Sequence, residues 1–273
     1  MTDNRKAELI QLRVEKTFLD KLNRIAEKQN LPLSAMLRVW LSDRLNEEMK
    51  MITTERKVWQ EERLAAMKAA LEKEFEPGPA FAVHAHPLTP GVSIDIANVE
   101  KNAFSLIPWG STGFTGRIKQ HGYELIRAHN GRSSAKAQIF TSGQIEGLFA
   151  VSTEGKEIYG LALDDGIVQV ISAYVGLLRS QQTPMPYQFN VFILNAQGYA
   201  VVEDVAGVEP TTAFEDSVVR LTPLVIDTPT QTESELQTGN HCREMIDELW
   251  RAAGKRHSAS YDKDNQWLVR RGR

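Results

Sequence analysis

The 273 residues contain one cysteine, Cys242, which excludes an intramolecular disulfide and suits a reducing compartment. No apolar run approaches the roughly 20 residues that span a bilayer, and the N-terminus lacks the apolar core of a signal peptide. A cytoplasmic protein with no membrane partner is therefore expected. Excess positive charge is missing as well: 32 Lys and Arg against 35 Asp and Glu give a formal net charge of −3. That balance excludes a global basic field of the kind that drives sequence-independent nucleic-acid binding. There is no fixed-period repeat, no Gly-x-Ser-x-Gly elbow and no His-Glu-x-x-His helix. Cys242 has only His241 beside it to act as a base. Neither catalysis nor a cofactor is expected.

What is present is ordinary in bulk and specific in pattern. Apolar residues make up 42% and charged residues 25%, as in a globular chain with a real core; the length suggests two domains. The pattern begins at residues 9–14. Ile10, Leu12 and Val14 alternate with Leu9, Gln11 and Arg13, as on a strand with one buried face. Phe18, Leu22, Ile25 and Ala26 then recur at helical spacing. Asn30-Leu31-Pro32 interrupts, and Ser34 stands where an N-cap is expected, ahead of Leu37, Trp40, Leu41 and Leu45 on a second amphipathic helix. A six-residue strand has no partner within this segment, so the economical solution is pairing with the same strand of a second chain.

Alternating ribbon, helix, Asn/Pro turn, capping Ser and second helix, in that order over residues 9–49, resemble the ribbon–helix–helix repressors of the Arc and MetJ type. The resemblance implies a homodimer with Ile10, Leu12, Val14, Leu22, Ile25, Leu37, Trp40 and Leu41 in a shared core. It implies that Leu9, Gln11 and Arg13 face the major groove of double-stranded DNA. Phosphate contacts would fall to Ser34, with the amides after it, and to Lys16. Arg suits guanine and Gln suits adenine, and a helix N-terminus suits a phosphate. Leu9 departs from the polar residue expected there. Residues 1–50 carry ten Lys/Arg against eight Asp/Glu, a local +2 that supports contact without strong non-specific binding.

Residues 50–76 read as a connecting helix, dense in charge and free of Gly and Pro, with Thr53-Thr54 as a candidate break; Met67, Leu71 and Phe75 share one face. Pro77-Gly78-Pro79 marks a domain boundary. Beyond it, strands are predicted at 81–86, 92–96, 123–128, 135–141, 144–151, 189–194 and 198–202, with a tight turn at Thr141-Ser142-Gly143. Helices are predicted at about 98–107, at 163–181 and at 241–253. Strands and helices without strict alternation indicate an α+β domain over residues 80–270 with a largely antiparallel sheet. Its motifs are similar to the accessory domain that follows Schlafen-type AlbA ATP-binding modules in bacterial proteins: residues 117–123, 138–146, the 163–181 helix, 189–199, and Asp247, Trp250, Gly254, Asp264 and Trp267. That likeness implies architecture and a bacterial setting, and no chemistry.

Candidate chemistry in this domain is sparse. Gly110-Ser111-Thr112-Gly113-Phe114-Thr115-Gly116-Arg117 is rich in glycine but lacks the Gly-Lys-Ser/Thr ending of a phosphate loop and reads as an ordinary loop. His84 and His86 would share a strand face, yet the spacing of His121, His129 and His241-Cys242 supplies no third ligand, so no metal is expected. Asp164-Asp165-Gly166 reads as a helix start with a favourable dipole. Lys255-Arg256-His257 and the basic residues 270–273 read as a solvated tail. The expected function is that of a dimeric, sequence-specific DNA-binding protein, a bacterial repressor whose second domain senses a ligand or recruits a partner. The alternative is a non-catalytic component of a defence or toxin–antitoxin system that uses the ribbon unit only to dimerise.

Overall fold

The computed structural model describes residues 15–109, 113–203, 212–232 and 234–268. The protein is α+β with a largely antiparallel sheet, and it divides into two compact units between Glu62 and Arg63. The first contains α1 (Lys16–Lys28) and the greater part of α2 (Leu33–Glu74). α1 stops in a Schellman turn: Asn30 takes the left-handed conformation at φ 57°, and the amides of Asn30 and Leu31 donate to Glu27 and Ala26 carbonyls at 3.1 and 3.0 Å, satisfying the helix end. Pro32 then fixes the start of α2, because its ring cannot continue a helix backwards. Its carbonyl accepts from the Ala35 and Met36 amides.

α2 runs through Thr53-Thr54 without the break the sequence offered, so the second helix and the connecting helix are one element of 42 residues. Thr residues lower helix propensity by only tenths of a kcal/mol each, too little to interrupt it. Residues 63–74 of α2 belong to the second unit.

In that unit follow β1 (Ala80–Pro87), the short α3 (Ile96–Lys101), β2 (Phe114–Lys119), β3 (Gly122–His129), β4 (Arg132–Phe140), β5 (Ile145–Ala150), β6 (Thr153–Glu154) and β7 (Glu157–Tyr159). Then come α4 (Gly160–Ser180), β8 (Tyr187–Leu194), β9 (Ala200–Val202), β10 (Val218–Arg220), β11 (Leu224–Ile226), α5 (Glu235–His241) and α6 (Arg243–Ala252). The main sheet runs β10-β8-β1-β5-β4-β3-β2, with β11 also paired to β8; every pairing in it is antiparallel. A small β6-β7-β9 sheet contains one parallel pair. Residues 92–96 are not the strand expected. Asp95 instead caps α3 by accepting from the Ala97 amide at 3.0 Å, the local bond by which Asp competes with an extended ladder.

Period-two alternation sorts the sheet residues to two faces. On one face Phe81, Val83 and Ala85 of β1, Ile139 of β4, Phe149 of β5 and Val191 of β8 join the main core, closed by Ile167, Ile171, Tyr174 and Leu178 of α4. α4 is the one described helix long and apolar enough to cross a membrane, and it is packed as a core helix. Gly147 is required where Tyr174 crosses β5, since a side chain there would collide with the phenol; the phenol hydroxyl donates to the Leu106 carbonyl at 3.2 Å. On the opposite face Leu64, Met67 and Leu71 of α2 and Phe75 just after it pack on Ala80, Ala82, Leu148, Phe192 and Leu194.

The C-terminal segment is tied to α4 by Asp164. The sequence offers this residue as part of a helix start, but α4 opens earlier, at Gly160, with Tyr159 as N-cap. Asp164 is fully buried and accepts from Trp250 Nε1 at 3.0 and 3.1 Å and from the hydroxyls of Ser258 and Ser260. A buried carboxylate is tolerable only with such a set of donors. Replacing Asp164 with Ala orphans three buried donors at about 1–3 kcal/mol each. Urea unfolding should show a loss of about 3 kcal/mol or more; a loss below about 1 kcal/mol would refute the tie.

Candidate functional site

The first candidate surface is the helix pair of the N-terminal unit. Among the described residues its core within one chain is small: Leu22, Ala26 and Met36, with Leu33 and Leu37 packed against them. Phe18, Ile25, Val39, Trp40 and Leu41 remain exposed, by 53%, 37%, 54%, 40% and 58%. Of the residues expected in a shared core, Leu22 is buried, Leu37 half-buried, and Ile25, Trp40 and Leu41 partly exposed. Leu9, Ile10, Gln11, Leu12, Arg13 and Val14 lie outside the described residues. Lys16 opens α1 and is exposed; Ser34 is exposed in the first turn of α2, two residues past the cap position, which Pro32 holds, so it is not the N-cap expected.

The second candidate lies on the sheet face covered by α2. Cross-strand register brings six polar residues from six adjacent strands into one row: Asn190, His84, Glu146, Gln138, Glu124 and Arg117. Residues in register on antiparallel strands point to the same face, so the row forms a polar belt beside the apolar contact with α2. Arg63 of α2 reaches both carboxylate oxygens of Glu146, with Nε at 2.7 Å. Glu124, nearly buried, pairs with Arg117, Lys119 and Lys136, and Lys136 also pairs with Glu74 of α2 at 2.9 Å. The guanidinium of Arg63 also lies over the Phe140 ring, 5.2 Å from its centroid.

Between these α2 turns and β3–β5 is a cleft of about 340 Å³, at the small end of the roughly 300–1,000 Å³ of ligand clefts. Its helix wall consists largely of Ala66, Met67, Ala69 and Ala70; its floor includes Gln138 and Leu148. None of the residues singled out for chemistry in the sequence marks this cleft. The signal that could have found it is a lone carboxylate within an otherwise largely apolar strand, at Glu124 and Glu146.

The motifs that were singled out fare differently. His84 and His86 do share a face of β1, with ring centroids 6.1 Å apart. Both are buried. His84 packs edge-on against Phe192, and burial, reinforced by Arg63, pushes its pKa down to about 3. Among the described residues no group of three or more His, Cys, Asp or Glu is placed to hold a metal. The glycine-rich stretch is not wholly a loop: residues 114–119 form the edge strand β2, and Gly116 lies so close to the Tyr123 hydroxyl that no side chain fits there. Cys242 is buried, and burial alone raises its thiol to about 12, which starves it of the thiolate a nucleophile needs. Of the basic tail, Lys255 pairs with Glu203 at 3.8 Å and residues 269–273 lie outside the described residues.

His84 makes a pH prediction. Its folded pKa lies below the ordinary 6.5, so the unfolded chain binds the extra proton, and stability falls as pH drops from about 6.5 towards 3. Between pH 6.5 and 5.0 that amounts to ~2 kcal/mol at ~1.4 kcal/mol per unit. Urea unfolding of the wild type and of His84→Gln at pH 7.5 and 5.0 should show the pH-dependent loss shrinking by that amount in the variant; equal losses would disprove it.

Compared with known protein families, curated proteins and solved structures, the chain matches none of them.

Proposed function

We propose that the protein is a homodimeric, sequence-specific DNA-binding regulator, in which the N-terminal unit pairs and contacts DNA and the C-terminal α+β domain receives a ligand or a partner. The observation that carries this reading is the exposed apolar surface of the helix pair. Among the described residues only Leu22, Ala26 and Met36 are buried between the two helices, while Phe18, Ile25, Val39, Trp40 and Leu41 offer apolar surface for a second copy. Each such side chain stabilises by about 1.5–3 kcal/mol when fully covered. A closed two-fold dimer is the economical way to cover them, and it is the arrangement that the ribbon–helix–helix resemblance implies. Gln11 and Arg13 would then read bases, while Lys16 and the first turn of α2 at Ser34 meet phosphates.

A second reading is a dimerisation handle without DNA, in a protein whose role is to bind other proteins. The net charge of −3 and the apolar Leu9 favour it.

Sedimentation of the full chain should give a dimer, and Trp40→Glu with Leu41→Glu should give a monomer; a double variant that stays dimeric would exclude this helix face as the interface. Sheared genomic DNA retained by the protein and sequenced should share a short palindrome. On that site Arg13→Ala should weaken binding by about 1–3 kcal/mol and relax one base position. Unchanged affinity after replacing both Gln11 and Arg13 would leave only the dimerisation handle.

A further inference from the structure

In the cleft between α2 and β3–β5, most charges are satisfied from within. Arg63 is committed to Glu146, Lys136 lies between Glu74 and Glu124, and Arg117 and Lys119 also point to Glu124. Two lining groups are not committed. Among the described residues, neither the Lys73 ammonium nor the Gln138 amide has a side-chain hydrogen bond or ion pair. Lys73 is exposed at the rim and Gln138 half-buried in the floor. The same cleft has an apolar part of its lining: Ala66, Ala70, Met67 and Leu148. Three alanines on this stretch of helix leave open the volume that larger side chains would fill.

One uncommitted cation, one uncommitted amide and an apolar wall specify an occupant. We propose that the cleft binds a small organic monocarboxylate, with its carboxylate at Lys73, a hydrogen bond to Gln138, and its apolar body against Ala66, Ala70 and Leu148. A second negative charge would lie among Glu74, Glu124 and Glu146, and a neutral molecule would gain nothing from the ammonium's charge. A bare inorganic anion would leave the alanine wall uncovered. This site gives the C-terminal domain a ligand class and does not depend on whether the N-terminal unit binds DNA.

The test uses the full chain and calorimetric titration with benzoate and phenylacetate, against benzamide as the neutral isostere, phthalate as the dianion, and inorganic phosphate. One of the two monocarboxylates should bind saturably, with benzamide, phthalate and phosphate weaker by about tenfold or more, the worth of one charge-assisted hydrogen bond. Lys73→Met should cost a similar factor, and Ala66→Phe, which fills the cleft from an exposed helix position, should abolish binding, with circular dichroism unchanged in both. Three results would overturn the proposal: no saturable binding of either monocarboxylate, affinity unaltered by both substitutions, or phosphate or phthalate binding as tightly as benzoate. Dimerisation and DNA retention are measured without these probes, so failure here leaves that reading standing.

Discussion

Strand β1 is buried along its whole length on both faces, and most of the second unit follows from covering it twice. α4 closes one side with its broad apolar stripe; residues 64–74 of α2 and Phe75 close the other. A central strand with two covers cannot be amphipathic in the usual way. The side facing α4 accepts Phe81, Val83 and Ala85. The side facing α2 takes Ala80 and Ala82 where the helix comes closest, and then His84 and His86, which bury imidazole rings against aromatic neighbours.

The second cover does not stretch over the whole sheet. Where α2 leaves the face, apolar packing gives way to ionic pairing: Arg63 on Glu146, and Lys136 between Glu74 and Glu124. Such pairs contribute little net stability because desolvation opposes attraction. They do fix position. A bidentate arginine–carboxylate contact constrains both distance and plane, so it sets where the helix lies on the strands more than how tightly. With alanines on the helix side, that geometry holds a cleft open between the pairs. The wall of the cleft is part of the same 42-residue helix that begins in the N-terminal unit.

Much of the architecture was legible before any coordinates. The 163–181 stripe is α4 to within a few residues, the Thr141-Ser142-Gly143 turn joins β4 to β5, and the α+β class with a mainly antiparallel sheet stands. The departures are local competitions. Val92 and Ile94 suggest a strand, but Asp95 beside them caps a helix. Thr53-Thr54 suggests a break that a long helix absorbs. Ile118 alternates with lysine and arginine weakly enough that β2, an exposed edge strand, reads as a loop. Asp164 looked like a helix-start residue because nothing near it in sequence reveals Trp250, Ser258 and Ser260, more than eighty positions away.

By itself the amino-acid sequence determined the periods, the turns and the helices of the N-terminal unit, because these are set by neighbours a few positions apart; the compact units divide between Glu62 and Arg63, inside α2, ahead of the Pro77-Gly78-Pro79 stretch the sequence offers. Only the tertiary structure decided which polar residues meet. Glu124, Gln138 and Glu146 alternate unremarkably on three separate strands, and register alone aligns them; Arg63 and Lys73 reach their surroundings only because α2 folds back on the sheet. Register and docking depend on long-range pairing, and no local pattern encodes which residues will stand side by side across strands.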